Sequence, residues 1–544
     1  MVARPGATRS PGGAADPLSL RLRGPSAGPA LPAPPGREPL TTSGRCGSSR
    51  LPEENPISTL TDDAAAGRGA SETPPTRAGA TNTRGRPTPA GLFRAFWRWH
   101  FYASFVVVPV FAVLAVTGLI YLFRFQLEPM LHADVMRAEQ PVGQELPYVL
   151  SDQLTLVEDA YPDGEVGLVR EGRDPDLATA FSVTKQDGRV VDVFVDPWRG
   201  RILGELDPDT TLSGYAVRIH ADLMGGVLGD RLIEVAVCWA IVMTLTGYYL
   251  FLAGRRARLR RRAKKAPGSG LRSRHALVGS VAGVGLLLMV VTGLPWTGFW
   301  GAKVQELATA QGSSLWSLDH GAESEPGSRL DESLPHSHAV RELPWAQGAT
   351  EVPSSDPDGA GPASVANVDT AVVVAEREGL AHPMTIALPG GDEGVFSVIG
   401  DAFHDPSRER TVHVDRYSGE VRSQYGFEDY PLAAKAVAQG IGLHEGRSLG
   451  PVSFWAATLF CVAVLFLCVT GPLMWWRRRP SRSGSVGAPR GRMPVRATWW
   501  LAAALVVLGV VLPLFGLTLV LVLLLDRFVL RRVPRLRAVF DTVD

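Results

Sequence analysis

The chain has 544 residues, with 55 Lys and Arg against 54 Asp and Glu, a formal net charge of +1. No global charge bias points to a nucleic-acid partner. The hydrophobicity sits in runs of about 20 apolar residues or more, long enough to cross a bilayer, which excludes a simple string of soluble domains. Of the four cysteines, Cys46 lies in a polar tail and Cys238, Cys461 and Cys468 in apolar runs, so neither a disulfide framework nor a cysteine zinc site is expected.

Residues 1–93 are expected to form a disordered cytoplasmic tail. Up to about residue 88 they are rich in Pro, Gly, Ala, Ser, Thr and Arg and lack the apolar surface needed to offset ordering entropy. No short apolar run near Met1 suggests a secretory signal, and an upstream start-site error is the other reading of the tail. Span 1 occupies 94–126, span 2 231–254, span 3 275–300 and span 4 451–476. Their apolar cores end in aromatics suited to the lipid interface. A basic loop at 255–274 joins spans 2 and 3, Arg477, Arg478 and Arg479 open a second at 477–496, and Arg94 and Arg98 precede span 1. Basic residues in short loops place these three sites in the cytoplasm, so the long loops 127–230 and 301–450 are extracytoplasmic and the protein belongs in the cytoplasmic membrane. A last apolar run, 497–525, carries Pro513 and Gly516 near its middle and precedes a basic tail at 526–544. It reads as a helical hairpin or a single kinked span.

The chain repeats itself. Each span holds a Thr-Gly pair: Thr117-Gly118, Thr246-Gly247, Thr292-Gly293 and Thr470-Gly471. His100 and His275 each lie 17 residues before the first and third pairs, while His220 and His444 each lie 26 before the second and fourth. In the outer loops Phe181-Ser182-Val183 matches Phe396-Ser397-Val398, and Asp196…Gly200 matches Asp415…Gly419. Each loop reads as a helix (151–160; 367–378) followed by strands (180–185 and 190–196; 395–399 and 411–415). The two Asp-to-Gly stretches should be equivalent turns, with Asp capping backbone N–H groups and Gly supplying positive φ. The expected fold is an internally duplicated α-helical membrane bundle of four spans plus the C-terminal element, with two small α+β extracytoplasmic domains.

Trp97-Arg98-Trp99-His100 with Thr117-Gly118-Leu119, the second start Arg274-His275 with Thr292-Gly293-Leu294-Pro295-Trp296, and the small outer domains resemble the PepSY-associated transmembrane family over about 94–476. Members are often described as iron-regulated membrane proteins, and some are ferric-siderophore reductases holding b-type haem. The resemblance implies PepSY-like outer domains and two haems b. Four histidines, His100, His275, His220 and His444, would be their iron ligands, and bis-imidazole ligation between facing helices suits electron transfer. His100 and His275 start spans on the cytoplasmic side; His220 and His444 precede spans on the outer side. A parallel repeat would set His100 opposite His275 and His220 opposite His444, with apolar slots beside Gly118, Gly293, Gly247 and Gly471. These glycines would let a macrocycle or another backbone approach closely. The bland alternative gives interfacial histidines facing headgroups and small residues packing helices.

A continuous helix would put His220 about 39 Å from Thr246, so its segment either folds back or leaves the ligand at the outer rim. His132, just outside span 1, competes as an outer ligand. His336-Ser337-His338 could catch a metal ion, and His404 and His413 could touch a substrate. No Gly-rich dinucleotide fingerprint, Ser-His-Asp set or HExxH motif is visible, so a donor must dock at the cytoplasmic face or in the membrane. The first functional expectation is therefore electron transfer to a ferric siderophore outside, with an unidentified donor. The second is a non-enzymatic membrane protein whose PepSY-like domains bind or regulate an envelope partner such as a peptidase. A transporter is a third, weakened because the spans are expected to lack buried carboxylates.

Overall fold

The computed structural model describes residues 89–144, 146–301, 351–357, 366–401, 405–478 and 499–540, with Lys303, Leu330, Gln347 and Val486 as single residues. The tail before residue 89, His336, His338 and His404 lie outside the described residues.

Five helices are long and apolar enough to cross a membrane: Gly91–Leu122, Gly226–Ala253, Ser269–Gly293, Pro451–Trp476 and Pro513–Leu530. The protein is a multi-pass membrane protein with a helical bundle. The first four are spans 1 to 4. Span 1 packs on spans 2 and 4, and span 3 packs on spans 2 and 4, so spans 1 and 3 stand diagonally across the bundle. An apolar layer of Val107, Phe111, Trp239, Met243, Leu286 and Phe460 fills its middle. Span 3 stops at Gly293, short of the expected 300. Pro295 has no N–H to donate, and Leu294–Trp296 tightens into a 3-10 turn.

The long loops build antiparallel strands. The first contributes β1 (Glu165–Arg170), β2 (Thr179–Thr184), β3 (Val190–Asp196) and β4 (Arg201–Leu206). The second contributes β5 (Met384–Ala387), β6 (Val395–Gly400), β7 (Arg410–Asp415) and β8 (Val421–Gly426). The sequence reading treats these as two domains, but they form one eight-stranded sheet in the order β4-β3-β2-β1-β5-β6-β7-β8. The seam is β1 against β5, with Leu168 opposite Ala387, Val169 opposite Ile386 and Arg170 opposite Thr385. Two separate four-stranded sheets would each leave such an edge unpaired.

The helix Val368–Arg377 shows why the halves cohere. Its buried Val368, Ala371, Val372 and Ala375 recur at the spacing of one helical face. That face joins Val157 of the helix Leu150–Ala160 and strands from both loops in a single core. Asp369 reaches across the seam and accepts hydrogen bonds from the N–H groups of Leu150 (2.8 Å) and Ser151 (3.2 Å), capping the other half's helix. The matched turns follow the expected chemistry. Asp196 Oδ1 accepts from the N–H groups of Trp198 and Arg199, and Asp415 Oδ1 from those of Tyr417 and Ser418. Gly200 and Gly419 take φ of +57° and +71°.

Of the two readings of the C-terminal run, the hairpin is found. Trp499–Val511 and Pro513–Leu525 meet at Leu512, and a Cβ on Gly509 would lie 3.1 Å from Gly516 Cα. In a straight helix residues seven apart are about 10 Å apart. The buried tip, Leu512 and Phe515, packs against Cys238, Val242 and Leu294, and Trp300 Nε1 donates to the Val511 carbonyl at 2.8 Å.

Candidate functional site: four histidines on four Thr-Gly pairs

His220 and His444 do not continue into their spans. His220 ends a short helix, Leu212–Asp222, and the chain reverses through Leu223 (φ +55°), Met224 (φ +53°) and Gly226 (φ +56°) before span 2. His444 ends Leu432–His444, and the reversal runs through Gly446 (φ +70°), Leu449 (φ +62°) and Gly450 (φ +59°). The fold-back alternative therefore holds, and the 39 Å difficulty disappears. Each short helix packs on the first span of its own half.

Each of the four histidines His100, His220, His275 and His444 sits on a Thr-Gly pair. His220 Nδ1 lies 2.9 Å from Thr117 Oγ1, and His444 Nδ1 3.0 Å from Thr292 Oγ1. At the basic end, His275 Nδ1 lies 2.8 Å from Thr470 Oγ1. His100 Nδ1 lies 2.8 Å from the Met243 carbonyl and 3.5 Å from Thr246 Oγ1. Each threonine hydroxyl lies 2.7–3.0 Å from the carbonyl four residues back in its own helix: Thr117 from Val113, Thr246 from Val242, Thr292 from Leu288 and Thr470 from Phe466. A hydroxyl has one hydrogen; once that is given to the carbonyl, its lone pair can only accept from the ring. A carbonyl likewise only accepts. The hydrogen therefore sits on Nδ1, and Nε2 keeps its lone pair, the form in which imidazole binds a metal.

The glycines make room for these rings. A Cβ would lie 3.1 Å from His100 Cε1 at Gly247 and 3.1 Å from His444 Cε1 at Gly293. At Gly118 and Gly471 it would lie 3.7 Å from His220 Cε1 and 3.8 Å from His275 Cε1. An imidazole approaches each glycine, joined at Gly118 by Cys461 Sγ at 3.8 Å.

On the sheet side the rings of His220 and His444 lie perpendicular, with centroids 6.4 Å apart and planes at 89°. Burial, and then His444, push the His220 pKa down to about 4, and burial pushes His444 down as well, so both rings are neutral at pH 7. Supports surround this pair. Glu128 Oε1 accepts the Ser213 N–H at 2.6 Å near the start of the His220 helix. Behind His444, Arg447 donates to Glu445 at 2.6 Å and sits 3.6 Å from buried Glu409, which also receives the Tyr430 hydroxyl at 3.3 Å.

The other histidines fall elsewhere. His132 Nε2 sits 3.5 Å from Glu128. His413 is buried within β7 and hydrogen-bonded to Ser397 Oγ at 2.8 Å, so it cannot touch a substrate in solution. Three features escaped sequence reasoning. The threonine acceptors were visible as a repeat, but not as partners. Met243 acts through its backbone, which leaves no mark in sequence. Glu234, fully buried in span 2, corrects the expectation of spans without carboxylates; it accepts the Phe299 N–H at 3.3 Å and faces Arg231 at 3.4 Å.

Among the described residues no three His, Cys, Asp or Glu side chains converge as a metal-ion site. The chemistry on offer is paired neutral imidazoles, which suit a metal whose other ligands come from elsewhere. No curated protein matches the chain. The family model described as "PepSY-associated TM region" matches residues 97–478, well over half of the chain, and the protein belongs to that family.

Proposed function

We propose that this protein is a haem-holding electron carrier that passes electrons through the cytoplasmic membrane to a ferric chelate, with the sheet outside and the basic ends in the cytoplasm. The observation that carries the reading is the His220/His444 pair. An imidazole–metal bond of about 2 Å on each side, plus about 1.1 Å from nitrogen to ring centre, would put two rings sharing one metal about 6.2 Å apart. The observed separation is 6.4 Å.

His220 and His444 would hold one haem and His100 and His275 the other. Haem iron between two imidazoles supplies reversible one-electron chemistry. The chain's residues do the rest. Thr117, Thr292, Thr470 and the Met243 carbonyl hold the Nδ1 hydrogens and aim the rings. Phe111, Trp239 and Phe460 keep water from the layer between the two pairs. The repeated order of span, helix, four strands, helix and span supports an internal duplication, with each half supplying one histidine to each pair. A ferric siderophore would be the substrate, releasing its iron once that is reduced to Fe(II).

Purified protein from haem-supplied cells should give a reducible b-type spectrum with two haems per chain by pyridine haemochrome assay. A ferric chelate should reoxidise it. A colourless preparation sinks the proposal. It would leave the PepSY-type regulator, for which replacing His100 and His275 together with alanine changes nothing.

A further inference from the structure

The segment 255–274 contains no Asp or Glu. Its helix Arg255–Ala263 turns back through Ala266, Pro267 and Gly268 (φ +70°) onto the start of span 3. A small notch opens there, lined by Arg258, Arg261, Ala266, Pro267, Ser269 and Arg272. Arg258 does not extend into water. Its guanidinium lies 4.3 Å over the Phe251 ring and donates to the Phe251 carbonyl at 3.1 Å. Arg262 donates to Ser273 Oγ at 3.3 Å, closing the turn. Burial, and then Arg255, hold the Arg258 guanidinium below its ordinary range. Span 3 begins at the notch without a side-chain cap.

Guanidinium groups do not lose their protons in proteins, so cations gathered without a carboxylate call for a counter-anion. The notch sits at the turn between the ends of spans 2 and 3, and Leu252 and Leu259, adjacent in sequence to Phe251 and Arg258, are exposed. Apolar surface next to convergent arginines suits a ligand with an anionic head and acyl chains. We propose that Arg258, Arg261 and Arg272 bind the phosphate of one anionic phospholipid, which pins the turn between spans 2 and 3. Arginine forks match phosphate oxygens, and the uncapped N–H groups at the start of span 3 add donors. This inference is independent of any haem.

The test places full-length protein in nanodiscs of phosphatidylglycerol and phosphatidylcholine, extracts it in mild detergent and counts retained phosphatidylglycerol by native mass spectrometry. One molecule per chain should remain. The triple substitution Arg258→Gln, Arg261→Gln, Arg272→Gln should lower retention at least tenfold. A control, Arg255→Gln, Arg256→Gln, Arg260→Gln, removes equal charge from positions on the same loop that do not line the notch and should keep the lipid. Circular dichroism melting checks that both variants fold; if the notch triple does not, Arg261→Gln alone should still lower retention where Arg260→Gln does not. Equal loss in notch and control variants, or no loss in either, overturns the site. Millimolar inorganic phosphate displacing the retained lipid stoichiometrically would reassign the notch to a soluble phosphate and overturn the lipid.

Discussion

The two histidine pairs use the same parts in different ways. At the basic end, His100 and His275 ride on the spans themselves, and each ring meets the returning span of its own half at Thr246-Gly247 or Thr470-Gly471. On the sheet side, His220 and His444 sit at the ends of short helices that leave the sheet, dip to the bundle and turn back. The first arrangement needs only two packed helices. The second needs left-handed residues at Leu223, Met224 and Leu449, positions at which non-glycine side chains are unfavourable. Carboxylates stand behind it: Glu128 on one side, Glu409 with Arg447 on the other. The sheet-side pair is thereby coupled to the sheet, and the basic-end pair is not.

The sharpest way to break this comparison is to remove one ligand at a time. His220→Ala or His444→Ala should cut haem content from two to one per chain while His100 and His275 keep theirs. His100→Ala should do the converse, and loss of both haems from one substitution would mean that the pairs are not independent. The glycines come next. A Cβ at 3.1 Å from a ring carbon forces a shift of a few tenths of an ångström, whereas 3.7–3.8 Å is ordinary contact. Gly247→Ala and Gly293→Ala should therefore lower haem retention several-fold or shift the midpoint potential, and Gly118→Ala and Gly471→Ala should leave both near wild type. The two sensitive positions lie in different pairs, so a result that sorted by pair would refute the contact argument. Threonine substitutions are subtler. Thr117→Val, Thr292→Val and Thr470→Val each remove an imidazole acceptor, at about 1 kcal/mol, roughly fivefold in affinity. Thr246→Val should do less, because His100 keeps the Met243 carbonyl.

What was legible in the sequence followed from periodicity and spacing. Apolar runs marked the four long spans, and the equal offsets of 17 and 26 residues marked the histidines. The Asp196 and Asp415 turns could be read because their chemistry is local. The β1–β5 seam could not, since strand pairing between segments some 200 residues apart leaves no local pattern, and the short strand Met384–Ala387 gives little signal of its own. The reversals at Leu223 and Leu449 were hidden for a related reason: a positive φ at leucine is imposed by tertiary packing against residue preference. The histidines were thus legible before their geometry. The ring separation that matches a shared metal is at His220 and His444.

The smallest expected effect tests whether the sheet-side pair depends on its carboxylate support. Burial raises the Glu409 pKa to about 7, while Arg447 and the Tyr430 hydroxyl oppose the rise. A carboxyl with a pKa of about 4.3 in the unfolded chain and about 7 when folded binds its proton more tightly in the native state. Its contribution is fully present below about pH 4.3 and is lost as pH rises through 7. The Tm of the purified protein should therefore fall modestly between pH 5 and 8, a trend that other titrating groups overlay. Glu409→Gln keeps the neutral form at every pH and should remove only the Glu409 part of that slope. Arg447 lies three residues beyond His444, so the same titration in the wild type should also perturb the sheet-side haem spectrum and leave that of the basic-end pair unchanged. A Glu409→Gln variant with the wild-type pH slope would show that this carboxyl is already charged in the fold, and that the turn behind His444 rests on its ion pair with Arg447 instead.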